Sequence, residues 1–112
     1  MRIAAGVTRP SYGDPMESVR FTAELWRWKA QSGWFFVTLS AEASELVREV
    51  PRPPRGFGSV RVRVTVGDTA WKTSVFPDAE SGRYVLPVKQ AVRRAEELDE
   101  GEPVEVRLDI LE

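Results

Sequence analysis

Between Arg83 and Leu108 the hydrophobic period of this chain changes twice, and proline and glycine mark the places where it changes. Tyr84, Val85 and Leu86 form an extended apolar run that ends at Pro87. Proline holds the residue before it extended, and it is tolerated in a helix's first turn, where its missing N–H is not needed. Beyond it Val88, Ala91, Val92, Ala95 and Leu98 recur at helical spacing. That stripe predicts an amphipathic helix over 88–98, with Lys89, Gln90, Arg93, Arg94, Glu96 and Glu97 on its other face. Asp99-Glu100-Gly101 ends it, the glycine being free to take a positive φ. After Pro103 the period becomes two: Val104, Val106, Leu108 and Ile110 face one way, and Glu105, Arg107 and Asp109 the other. This is the pattern of a strand with one face on a core.

The first half of the chain follows the same plan. Val19, Phe21, Ala23 and Leu25 alternate with Arg20, Thr22 and Glu24, which predicts a strand from residue 18 to about 29. The alternation blurs at Trp26-Arg27-Trp28, as it does at a bulge or where both faces are covered. Gln31-Ser32-Gly33 is a turn, and Trp34-Phe35-Phe36-Val37-Thr38-Leu39 is apolar on both faces, which suits an interior strand. Aromatics this dense are expected to fill the end of a small barrel; a base-stacking platform or ligand slot is the alternative. Ser40 is a good N-cap for a helix over 41–50 with Ala43, Leu46, Val47 and Val50 as its stripe. Pro51-Arg52-Pro53-Pro54-Arg55-Gly56 is a stiff spacer. Residues 59–66 alternate cleanly, Gly67-Asp68 marks a hairpin turn, Thr69 to Phe76 returns, and Pro77 to Gly82 is a loop.

The order β-β-α-β thus occurs twice, over about 18–66 and 69–111. The expected fold is mainly β: a small closed double-split β-barrel with two short α-helices, built from pseudo-duplicated units whose pairing removes exposed edges. Residues 17–112 form this single domain. Residues 1–16 hold Gly6, Pro10, Gly13 and Pro15 without a hydrophobic period and are expected to be a mobile arm, with Met16 an alternative start to Met1.

Composition removes much chemistry. The chain has 112 residues, no cysteine and no histidine. Disulfide frameworks, thiolate zinc sites, cysteine nucleophiles and histidine acid–base catalysis are therefore excluded. A net charge of −1 argues against a generic polyanion binder. No apolar run approaches the roughly 20 residues of a membrane helix, and the expected location is cytoplasmic. Glu24, Glu42, Glu45, Asp68, Asp78 and Glu80 fall on outward faces or loops, not opposite each other as acid–base work requires. Glu96, Glu97, Asp99, Glu100 and Glu102 form an acidic helix end that invites a cation or a basic partner, without the ligand spacing of a calcium loop. Ser40, Ser74 and Ser81 have no histidine to activate them. No cofactor, metal or catalytic residue is expected.

One candidate site remains. The start of the second helix offers the amides of Val88 and Lys89, with the side chains of Lys89 and Arg93 one turn apart. Lys72 and Ser74 approach from an adjoining strand, where Arg61, Arg63 and Lys72 form a positive stripe. An anion is the ligand these groups suit; the plain alternative is the solvated side of amphipathic elements.

Several motifs together resemble one bacterial family. They are Gly33-Trp34-Phe35-Phe36-Val37, Gly56-Phe57-Gly58-Ser59-Val60, Trp71-Lys72-Thr73-Ser74-Val75-Phe76-Pro77, Tyr84-Val85-Leu86-Pro87-Val88-Lys89-Gln90-Ala91-Val92-Arg93 and Gly101-Glu102-Pro103-Val104-Glu105-Val106. From about Val19 to Leu111 the chain is similar to the domain of unknown function 1905 family. The resemblance implies the same double-split barrel and carries no established activity, cofactor or site. Glu102 stands where an aspartate is expected, and Ser40 where a proline is expected by analogy with Pro87. The closing Leu-Pro, helix, Gly-acid, strand unit is also similar to that of swapped-hairpin transition-state regulators and antitoxins. The leading expectation is a non-catalytic binding or accessory module, a monomer or weak homodimer whose partner is a protein or small ligand. A DNA-binding regulator is the runner-up, and an enzyme is third.

Overall fold

The structure is a computed structural model that describes residues 17–50 and 58–111. The expected arm over 1–16 and the spacer over 51–56 lie outside the described residues. The elements are β1 (Glu17–Glu24), β2 (Trp26–Arg27), β3 (Phe35–Thr38), α1 (Ala41–Arg48), β4 (Val60–Val66), β5 (Thr69–Asp78), β6 (Arg83–Pro87), α2 (Gln90–Ala95) and β7 (Pro103–Ile110). The strands form one antiparallel sheet in the order β1-β7-β4-β5-β6-β3-β2, curled into a half-barrel. Its concave side carries the core, in which Val37, Leu39, Val47, Val62, Val64, Leu86, Leu108 and Ile110 are fully buried.

The sheet is open, with β1 and β2 at its edges, where a closed barrel was expected. Only Leu25 separates β1 from β2. Two strands that follow one another in line cannot pair with each other, so the chain itself spans the gap. At the kink, Leu25 N–H donates to Glu102 O (3.0 Å) and Leu25 O accepts from Gly101 N–H (2.7 Å). The opposite corner is made by β5, whose residues 69–75 pair with β4 and 76–78 with β6. The predicted loop at Pro77 is therefore strand; there β5 has a neighbour on one side only, where a sheet admits proline.

Exchanging the two halves leaves the pairings intact. β1 with β7 becomes β5 with β4, the hairpin β2–β3 becomes β5–β6, and the pairs β3–β6 and β4–β7 map onto themselves. Two mirrored hydrogen bonds fix the equivalence: Leu39 N–H donates to Tyr84 O and Val88 N–H to Phe35 O, both at 2.9 Å. The same offset sets Ser40 against Lys89, Ser44 against Arg93 and Gly33 against Gly82. It sets Thr38, not Ser40, against Pro87.

The helices differ. Ser40 caps α1 as its sequence predicts, its Oγ accepting from Ala43 N–H at 3.1 Å. Lys89 is the N-cap of α2 and has no side-chain capping bond. Val88 N–H bonds to Phe35 O as Leu39 N–H does to Tyr84 O, and α2 starts at Gln90, two residues later than expected and equivalent to Ala41 at the start of α1. It also stops early. Leu98 N–H donates to Arg93 O and Glu97 N–H to Arg94 O, with Glu97 at φ 54°, a Schellman-type ending. The helix expected over 88–98 is thus six residues long. Of its expected stripe, Val88 and Val92 are buried and Leu98 half-buried, whereas Ala91 and Ala95 are exposed.

Candidate functional site

The shortness of α2 leaves a groove. α1 packs against β1 and β6, and α2 makes no contact of that density with any strand. Between α2, the Gly33–Phe35 segment and β5 lies a space of about 800 Å³. Lys72, Ser74, Lys89 and Arg93, the four residues singled out in the sequence, all line it. Arg61 on β4 joins them, as do Trp34, Phe35, Trp71 and Phe76. Arg61 and Lys72 stand on the outer face of the sheet, one register step apart, while Trp71 and Thr73 point to the inner face.

Among the described residues, four cations and no carboxylate line this groove. Among the described residues, Arg61, Lys72 and Lys89 form no ion pair. Arg93 is held in place: its guanidinium carbon lies 3.9 Å from the Phe35 ring centroid, and Nε donates to Val88 O at 3.1 Å. A second guanidinium nitrogen reaches Gly33 O at 3.4 Å. Burial lowers its pKa from the ordinary arginine value, and it remains charged at neutral pH. The amides expected to hold an anion are less available than the sequence implied, since that of Val88 is bonded to Phe35. The side chains, not a helix end, define the site.

The next cations along the sheet are neutralised. Ser18, Asp109, Arg63 and Lys72 form one row across β1, β7, β4 and β5. Asp109, buried, accepts from Ser18 Oγ at 2.7 Å and Arg107 Nε at 3.1 Å, with Arg63 Nε at 3.6 Å. Burial alone raises its pKa. The hydrogen bonds from Ser18 and Arg107 and the charges of Arg107 and Arg63 outweigh that and hold it below the ordinary carboxylate value. The row therefore runs from a paired end at β1 to an unpaired Lys72 at β5.

The acidic helix end is also used internally. Glu96 Oε2 accepts from Asp68 N–H (3.2 Å) and Thr69 Oγ1 (2.6 Å), clasping the β4–β5 turn. Gly67 in that turn has φ 58°, which strains any residue with a Cβ, and a Cβ there would also push the Glu96 carboxylate out of its clasp. Glu100 pairs with Arg27 at 3.3 Å, and Glu102 accepts from Asp99 N–H at 3.2 Å. Among the described residues no group of three or more carboxylates is placed to hold a metal ion.

The aromatics do not fill a barrel end. Phe36 stacks with both Trp26 and Trp34, and Trp28 meets Trp34 and Phe36 edge-on, with Trp28 and Trp34 more than two-fifths exposed. Trp26 Nε1–H donates to Thr38 Oγ1 at 2.9 Å. Trp34 joins this external cluster to the groove. Trp34 and Phe35 belong to the aromatics for which a ligand slot was the alternative, whereas sequence reasoning missed Trp71 as a groove wall, because periodicity reports which face a side chain takes, not whether that face is covered.

No curated protein matches the chain. A family model described as "Domain of unknown function (DUF1905)" matches residues 21–108, which include every groove residue named above. The chain belongs to the DUF1905 family.

Proposed function

We propose that this domain is a non-catalytic binding module of a bacterial cytoplasmic protein, and that its groove takes an anionic ligand. One observation carries the reading: Arg61, Lys72, Lys89 and Arg93 converge on a single groove without a carboxylate among them. Like charges held together unpaired raise the free energy of the empty protein, and a bound anion relieves it. Trp34, Phe35 and Trp71 supply an apolar wall, so an organic anion with an apolar part suits the groove better than a bare ion. Among the groove residues Ser74 has no base beside it, and no carboxylate is present to move a proton.

The test is a titration of the isotope-labelled chain with phosphate, an aryl carboxylate and a nucleoside monophosphate, read by amide shifts. Shifts are expected to gather at 72–74 and 89–93, and the organic anions should bind more tightly than phosphate. The double variant Lys72→Gln, Arg93→Gln should bind at least about tenfold more weakly, and added salt should weaken binding further. Shifts gathered elsewhere, or none at millimolar ligand, would sink the proposal.

A further inference from the structure

β5 has an unpaired edge where it borders the groove. The two-residue turn Gly67-Asp68 closes on the pair Val66↔Thr69, so alternate residues Thr69, Trp71, Thr73 and Val75 exchange bonds with β4. The N–H and C=O groups of Ala70, Lys72 and Ser74 point the other way. Farther along, the same side of β5 meets β6, beginning at Phe76↔Val85. Continued by two residues, that register sets Pro87 opposite Ser74. Proline has no N–H to give, and the chain turns there toward α2, so the ladder ends and, among the described residues, the edge from Ala70 to Ser74 has no partner strand.

We infer that this edge takes a short acidic peptide as an added antiparallel or parallel strand along Ala70–Ser74; the inference rests on the groove being an anion site. Main-chain bonding to a free edge supplies affinity, and alternate side chains supply selectivity. On the outer face the guest's side chains meet Lys72 and Arg61, and on the inner face they meet Trp71 and Phe35. Lys89 and Arg93 stand on the far wall. An alternation of acidic and apolar residues matches both faces. The same cations bar a basic strand and bar edge-to-edge pairing of two copies of this chain, since Lys72 would face Lys72.

The experiment uses the full chain and four synthetic peptides of about seven residues, enough to cover the edge. One alternates Glu and Val, one alternates Lys and Val, and two are the Glu-Val peptide N-methylated along one backbone edge or along the other. The Glu-Val peptide is expected to slow hydrogen exchange at the amides of Ala70, Lys72 and Ser74 by at least about tenfold at saturation. N-methylation on the bonding edge should weaken it by a similar factor, and N-methylation on the opposite edge should not. The Lys-Val peptide should not bind. Unprotected edge amides at millimolar Glu-Val peptide, or equal binding of both N-methylated forms, would overturn the strand. If small anions still shift 72–74 and 89–93 in that case, the groove reading survives alone. If neither anions nor peptide act, both fall.

Discussion

In the first half of the molecule Ser44 lies within α1, where its Oγ accepts a buried hydrogen bond from Tyr84 N–H at 3.1 Å and the helix rests on β1 and β6. The equivalent position in the second half holds Arg93, whose guanidinium lies over Phe35 and reaches Gly33 O. Arg48 meets Tyr84 and Gly82 O in the same way, but from the exposed side of α1, one turn beyond Ser44. A small side chain lets the first helix close onto the sheet. A long charged one lies over Phe35 and lines a groove between the second helix and the sheet. The two halves share a pairing scheme, and they differ in what the equivalent helix position carries.

The largest expected effect concerns how firmly each helix is docked. Val47 and Val92 are both buried, so a carboxylate at either place is left without a partner. Val47→Asp should cost about 4 kcal/mol and Val92→Asp about 3, because α2 has less around it; urea denaturation measures both. Arg94→Ala should stay within about 0.5 kcal/mol. Equal losses at the two valines would remove the asymmetry.

Next comes the pair of equivalent positions. Ser44→Ala should destabilise by about 2 kcal/mol, since it leaves the buried Tyr84 amide without its acceptor. Arg93→Ala should cost less than about 1 kcal/mol in stability yet weaken anion binding at least about tenfold. The reverse ranking would mean that Arg93 is a structural clamp and that the groove is incidental.

The row from Ser18 to Lys72 gives a pH test. Asp109 has a folded pKa below its unfolded value, so its stabilisation is complete above the unfolded value and disappears as pH falls through the folded one. Asp109→Asn should therefore be less stable than the parent by about 1.5 kcal/mol at neutral pH, and the gap should close on acidification below ~pH 4.

The smallest effect is a gain. Glu97 holds a positive φ at the end of α2, a conformation that strains a residue with a Cβ, whereas the C-cap of α1, Glu49, is ordinary helical backbone. Glu97→Gly should raise stability by about 1 kcal/mol without altering anion binding, a separation that thermal melts and titrations read directly.

Much of this molecule is legible in the chain because its signals are local. Ser40 announces α1, Gly67-Asp68 announces a hairpin, and the alternation of Val60, Val62, Val64 and Val66 marks the buried face of β4. That Lys72, Ser74, Lys89 and Arg93 stand together was also legible, as cations and a hydroxyl left over from the apolar faces, and all four line one groove. The length of α2 was not. Its spacing continues to Leu98, but the left-handed backbone at Glu97 and the bond from Leu98 N–H back to Arg93 O end the helix before the stripe does.

What the sequence determined by itself is the succession of elements and the face each side chain takes, because period, caps and turn residues act within a few positions of one another. Only tertiary structure decided which edges would be covered. Pro87 ends the β5–β6 ladder opposite Ser74 solely because β6 lies in that register beside β5. The sheet's two outermost strands, β1 and β2, follow one another in line through Leu25. Edge coverage depends on backbone groups far apart in the chain and on the chirality and reach of the connections between them, to which a hydrophobic period carries no reference.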